Sequence, residues 1–163
     1  MQPQQGGCLC GKVRFQVTRQ PIRVSFCHCR FCQRARGGGY AIEPIFNLAD
    51  FEQISGTSKT YDHRSEGSGH VIHVHFCDNC GSGLHYSFDR WPDIIGIHAG
   101  VFDDPNWFEY TSDNAKHIFL DAARHDTVIA AGIPAYVQHS AKNDGTPNKP
   151  TVYEAPHLVG RKD

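Results

Sequence analysis

Gly7-Cys8-Leu9-Cys10-Gly11-Lys12-Val13-Arg14-Phe15-Gln16-Val17-Thr18 sets two cysteines, one residue apart, directly ahead of an alternating stretch. Val13, Phe15 and Val17 share one face, with Lys12, Arg14 and Gln16 on the other, which is the period of a half-buried strand. The segments 22–26, 40–46, 51–55, 70–76, 84–88, 94–101 and 117–120 read as further short strands. Gly, Pro, Asn, Asp and Ser clusters such as Ser65-Glu66-Gly67-Ser68-Gly69 separate them and suit turns. Only 121–131 has the composition of a short helix, and the β-branched Thr127, Val128 and Ile129 weaken it. The expectation is a mostly β chain without internal repeats.

With 163 residues, 39% of them hydrophobic and 20% charged, the chain is long enough for one domain that buries roughly 70% of its unfolded surface. Residues 140–163, with the run Pro147-Asn148-Lys149-Pro150, read as a tail with little core of its own, leaving 1–139 as the domain. Such a tail lies along the domain or pairs with a second subunit, so a homo-oligomer is compatible with the sequence. No stretch reaches the ~20 apolar residues that span a bilayer, and the first seven residues lack the basic and apolar regions of a secretory leader. A cytoplasmic protein with no membrane partner is expected.

The net charge of −1 is unevenly spread. Lys12, Arg14, Arg19, Arg23, Arg30, Arg34 and Arg36 stand within residues 1–42, which contain no Asp or Glu. A near-neutral pI without a basic stripe of interleaved aromatics argues against a nucleic-acid partner. The basic segment also holds five of the seven cysteines, and cations there offset the negative charge of metal-bound thiolates.

All seven cysteines are clustered: Cys8 with Cys10, then Cys27-His28-Cys29-Arg30-Phe31-Cys32, then Cys77-Asp78-Asn79-Cys80-Gly81. An odd count and a chain of this length argue against a disulfide framework. Cys77-x-x-Cys80 lacks the βαβ context of a redox motif, and Gly81 suits a tight metal knuckle. Zinc takes four thiolates in structural sites and three protein ligands in catalytic ones, so seven ligands divide as four plus three and two zinc ions are expected. Cys8/Cys10 with Cys77/Cys80 can close one tetrahedron, while Cys27, Cys29 and Cys32 lie close enough for a single loop to wrap them around another ion. Cys8/Cys10 with Cys29/Cys32 is also arithmetically open.

Taken together, Gly7-Cys8-Leu9-Cys10-Gly11-x-Val13, Cys27-His28-Cys29-x-x-Cys32 and Phe76-Cys77-x-x-Cys80-Gly81-x-x-Leu84 resemble the glutathione-dependent formaldehyde-activating enzyme family, whose domain also occurs in centromere protein V. Phe51, Gly56 and Tyr61 sit at its F…G…Y stretch, and Ala99–Pro105, His117–Phe119 and Gly132–Pro134 at its later landmarks, so the likeness covers about residues 6–137. The resemblance implies a single-domain, tent-like antiparallel β fold related to zinc ribbons. It also implies a structural zinc on Cys8, Cys10, Cys77 and Cys80 and an open, reactive zinc on Cys27, Cys29 and Cys32. The implied activity joins a small aldehyde, formaldehyde, to a small thiol, glutathione, as a carbon–sulfur lyase run in reverse. The loop after Cys32 and the residues beyond about 138 depart from the family pattern.

Around the three-cysteine group, Arg30, Arg34 and Arg36 are candidates to pair with substrate carboxylates. His28, between two ligands, is the candidate catalytic residue, as a proton carrier or a donor supporting a ligand. His73 and His75 share a strand face and read as satisfied strand histidines before they read as a site. A non-catalytic zinc-stabilised interaction module, or carbon–sulfur chemistry on another small molecule, are the competing functions.

Overall fold

The computed structural model describes residues 2–161, and it builds them mostly from short strands in open sheets. Met1, Lys162 and Asp163, the last two from the expected tail, lie outside the described residues. In chain order the elements begin with β1 (Gln4–Gly7), β2 (Arg14–Val17), β3 (Arg23–Cys27), helix α1 (Arg30–Arg36), β4 (Ala41–Asn47), β5 (Phe51–Ser55) and β6 (Ser58–Arg64). They continue with β7 (Val71–Cys77), β8 (Gly83–Phe88), β9 (Ile94–Ile97), β10 (Ala115–Ile118), β11 (Val128–Ile129) and β12 (His157–Leu158). Two compact units result, one of Glu43–Glu109 with the chain up to Arg23, the other of Val24–Ile42 with the chain from Tyr110 onward.

In the first unit β1, β2 and β5 form an antiparallel sheet, and β4, β9, β8, β7 and β6 follow one another in a second. The alternation in β2 buries Phe15 and Val17 to 1% exposure, and they pack with Phe46, Ile95, Ile97 and Phe102 into one core. Trp107 stacks on Phe46 there at 6.0 Å. Gly56 ends β5 with φ 68°, and a Cβ on it would sit 2.2 Å from the Lys12 carbonyl oxygen, so only glycine fits that turn. β6 pairs with β7 in register from Ser58↔Cys77 to Arg64↔Val71.

In the second unit β3 and β10 run parallel, Ala115 opposite Val24 and Ile118 opposite Cys27. This corrects the expectation of an all-antiparallel fold: residues 43–109 intervene between the two strands, and a connection of that length permits the parallel return. Ala135 bridges His117 on one side and Thr151 on the other, and β11 pairs with β12. Described residues from Ser140 on lie along this unit: Lys116 Nζ donates to Ser140 Oγ at 2.7 Å, and Thr151 and Ala135 exchange backbone bonds of 2.8 Å. None of them is buried.

The expected helix over 121–131 is absent. A 3-10 turn spans Leu120–Ala122, Asp126 takes φ 72°, and the β-branched Val128 and Ile129 form β11 instead. The strand expected over 94–101 stops at Ile97, and that over 117–120 stops at Ile118, ahead of Phe119 at φ 62°. Helix α1 stands where a wrapping loop is expected. No helix among the described residues is long and apolar enough to cross a membrane.

The buried His85 on β8 lends the first unit an acid-sensitive element. Its ring stacks on His75 at 4.2 Å and meets Phe51 edge-on, and its Nδ1 has no hydrogen-bond partner. Burial, and then the charge on His75, push its pKa down to about 3. The unfolded chain therefore takes up this proton first, so the fold is weakened as pH falls from 6.5 towards 3 and is unaffected by this group above 6.5. His85→Phe is expected to flatten the fall of Tm with pH between 6.5 and 4; a slope equal to that of the parent protein would contradict the assignment.

Candidate metal centres

Two strand-connecting turns meet in the first unit. The Cys8–Gly11 turn leads into β2, with Gly11 N–H donating to Cys8 O at 3.0 Å; the Cys77–Gly81 turn joins β7 to β8, with Gly81 N–H donating to Cys77 O at 2.9 Å. Both glycines have φ near +73°, a conformation that suits glycine after a ligand pair. The four sulfurs of Cys8, Cys10, Cys77 and Cys80 converge, every ligand atom within 4.8 Å of the others. Zn–S bonds of ~2.3 Å at tetrahedral angles place neighbouring sulfurs ~3.8 Å apart. Cys8 and Cys10 Sγ are 3.5 Å apart, and Cys10 and Cys77 Sγ 3.8 Å, so this donor set fits a zinc ion. Val13 N–H donates to Cys8 Sγ at 3.2 Å, and Ser82 Oγ lies 3.3 Å from Cys80 Sγ, contacts that stabilise thiolate charge. Lys12 pairs with Asp78 at 2.9 Å across the same two turns. Cys8, Cys77, Val13 and Leu84 form one buried cluster, so this group is embedded in the packing of the unit.

The second group lies in the other unit. β3 ends on Cys27, Cys29 is the N-cap of α1 with its sulfur accepting from Cys32 N–H at 3.4 Å, and Cys32 sits in the first turn. A strand end followed by a helical turn aims three sulfurs at one point; all lie within 4.8 Å of one another, with Cys27 and Cys29 Sγ 3.5 Å apart. Cys27 and Cys32 are buried and Cys29 is partly exposed, so solvent reaches this group on the Cys29 side. Bonding with Cys27 and Cys32, and N–H groups of Cys32 and Phe31, hold the Cys29 thiol down to about 3, a thiolate at neutral pH. Three thiolates in this arrangement fit zinc in the three-ligand form that leaves a coordination position for a substrate.

His28 is fully buried, and its Nε2 lies 3.0 Å from Nδ1 of His117 on β10. Burial and the facing His117 push His28 down to about 4, and burial does the same for His117, so both rings are neutral near pH 7. One ring donates and the other accepts. Because His28 Nδ1 has no partner, a Nε2–H donating to His117 is the less costly tautomer, since it leaves a bare lone pair buried and not an N–H. The rings lie between Phe26, stacked on His117 at 4.6 Å, and Tyr40, 4.9 Å from His28. His117, whose pairing with His28 no spacing announces, thus ties β10 to the residue between two candidate ligands.

Arg30 and Arg34 stand one helical turn apart on α1 and line a cavity of about 400 Å³; Arg36, on the same helix, is not among its lining residues. His73 and His75 belong to neither cysteine group and are satisfied strand histidines on β7. His73 is held between Asp62 at 2.7 Å and Asp89 at 2.9 Å, and His75 between Thr60 and Ser87.

Residues 3–122 match the family described as glutathione-dependent formaldehyde-activating enzyme. A Halomonas elongata protein whose name places it among those enzymes is 35% identical over 103 residues, covering 61% of this chain and 65% of its own length. A Schizosaccharomyces pombe protein named as an uncharacterized lyase is 24% identical over 103 residues, 60% of this chain and 67% of its own. The chain thus spans less than two thirds of the Halomonas relative. Among solved structures, a Rhodobacter sphaeroides protein aligns with a TM-score of 0.49 at 24% identity, over 61% of this chain and 87% of that one.

Proposed function

From the premise that the chain belongs to the glutathione-dependent formaldehyde-activating enzyme family, we propose that it is a zinc-dependent enzyme of carbon–sulfur bond chemistry, joining a small thiol to a small aldehyde and reversing that step. Cys8, Cys10, Cys77 and Cys80 hold one zinc that stabilises the fold, and Cys27, Cys29 and Cys32 hold another at which the reaction occurs. The observation that carries this reading is the three-sulfur group with its partly exposed Cys29, beside a four-sulfur group that is built into the packing. The fold then corresponds to the family's tent-like arrangement related to zinc ribbons.

A zinc held by Cys27, Cys29 and Cys32 would supply Lewis acidity that favours the thiolate form of a thiol substrate. The residues of the chain fix where this occurs. Cys29, as N-cap, orients α1 against the end of β3, and the buried His28–His117 pair keeps β3 and β10 in register beneath it. His28 acts in this reading as a positioning residue: with 0% exposure it braces the loop between two ligands and does not meet substrate. In the forward direction the thiol sulfur's lone pair forms the C–S bond, the carbonyl π pair moves to oxygen, and the thiol's proton ends on that oxygen. The step is balanced without oxidant or reductant. Proximity of the two partners supplies most of the acceleration.

The test is exchange of formaldehyde with glutathione, followed by magnetisation-transfer NMR on the protein as purified. Exchange faster than the uncatalysed reaction, and proportional to protein concentration, is expected. The same rate with and without protein would remove the named activity.

A further inference from the structure

The three-cysteine loop is tied to its surroundings through the residue between its first two sulfurs. His28 N–H donates to Ile118 O at 3.0 Å, and His28 O accepts from the side-chain amide of Gln33 at 2.6 Å, so both backbone groups between Cys27 and Cys29 are engaged. Gln33 directly follows Cys32 on α1 and is 6% exposed. The second hydrogen of its amide goes to Ala122 O at 2.8 Å, and its Oε1 accepts from Arg30. One amide thus has both donors and its acceptor satisfied, and it joins the loop, the helix and the segment after β10. That segment offers two carbonyls, of Ile118 and Ala122, by reversing at Phe119, whose φ of 62° is rare for a large side chain. The reversal is held by Phe119 N–H on Gln138 O and Leu120 N–H on Tyr136 O, each at 3.1 Å.

A helix of seven residues does not hold itself in water. Its seat depends on its ties, and the seat fixes where the sulfurs of the N-cap Cys29 and of Cys32 stand relative to Cys27 at the end of β3. We propose that Gln33 is a positioning residue for the three-cysteine group, its amide setting the spacing of the sulfurs for a zinc ion from outside the ligand set. This rests on the reading of that group as the reactive zinc centre. A site that keeps a coordination position for a substrate has three protein bonds to define its geometry, against four in a closed site, so ties behind the ligands carry more of the task. The four-sulfur group is instead set into its own packed cluster, in the unit that contains neither Gln33 nor the residues it bonds.

The test is competition for zinc by a chromogenic pyridylazo chelator on the full chain as purified. The release phase that Cys29→Ser lacks belongs to the three-cysteine group. Gln33→Met keeps the length of the side chain and removes both donors. In that variant this phase is expected to report a zinc affinity lower by about 10–100-fold, with the phase of the four-sulfur group unchanged. Unchanged affinity in both phases, or an equal weakening of the two, would overturn the proposal, the second because a merely structural loss spreads through the fold. The parent protein gives a reading that needs no variant. Both side-chain amide protons of Gln33 are expected to exchange with deuterium oxide far more slowly than those of exposed glutamines, followed by NMR, and exchange as fast as theirs would also overturn it. The two readings fail separately. Selective weakening in Gln33→Met, with no formaldehyde–glutathione exchange in the parent protein, would support the positioning role and sink the chemistry. Exchange in the parent protein, with both zinc phases of Gln33→Met unchanged, would do the reverse.

Discussion

Replacing Cys77 by serine is expected to abolish the cooperative fold of the first unit. Cys77 is 0% exposed, stands at the end of β7, and packs with Cys8, Val13 and Leu84. Its sulfur lies 3.8 Å from that of Cys10, so it joins the turn ahead of β2 to the turn between β7 and β8. A structural zinc contributes ~10–16 kcal/mol of binding free energy that is realised only on folding, against a typical domain stability of ~5–15 kcal/mol. A serine hydroxyl is a far poorer zinc ligand, and the buried site around it cannot be filled by water without breaking the cluster. Thermal melting followed by circular dichroism should show no cooperative transition, or the variant should be insoluble. A Cys77→Ser protein that melts within a few degrees of the parent would contradict the structural role of the four-sulfur group.

Cys29→Ser is expected to do the opposite, keeping the fold and losing the chemistry. Cys29 is partly exposed and caps α1 through its sulfur, and serine is a favoured N-cap that can accept the same N–H of Cys32. Helix α1 therefore survives. What is lost is one of three thiolates, the one that meets solvent. Changing residues that merely support metal ligands costs about 10–100-fold in metal affinity or activity, so removal of a ligand should cost at least about 100-fold in exchange rate. Melting should shift little, and the metal content should fall by one zinc per chain. If Cys29→Ser unfolds the protein while Cys77→Ser tolerates loss of its metal, the division of roles between the two groups is reversed.

How much of this is legible in the sequence differs by element. The cysteine groups are, because metal ligation demands particular residue types at short spacing, and the structure brings together Cys8, Cys10, Cys77 and Cys80, and separately Cys27, Cys29 and Cys32. Strand β2 is legible for a similar reason: one buried face imposes alternation on 12–18. β6 is not, since only Ser58 and His63 of its residues are even partly covered and no apolar period marks it. α1 escapes because its seven residues include one thiol-site position and three arginines, leaving too few apolar residues to show a helical period. The expected helix at 121–131 fails where β-branched residues and Asp126 at φ 72° override composition. The partnership of His28 with His117 and the approach of Arg124 to Gly39 come from tertiary packing across about ninety residues of chain, which no local pattern records.

The central claim is that seven cysteines hold two zinc ions, four ligands in one unit and three in the other. Elemental analysis of the protein, purified without chelator and under reducing conditions, tests it most directly. The account requires close to two zinc per chain. One equivalent or fewer, or a protein whose cysteines are joined in disulfides, would contradict it.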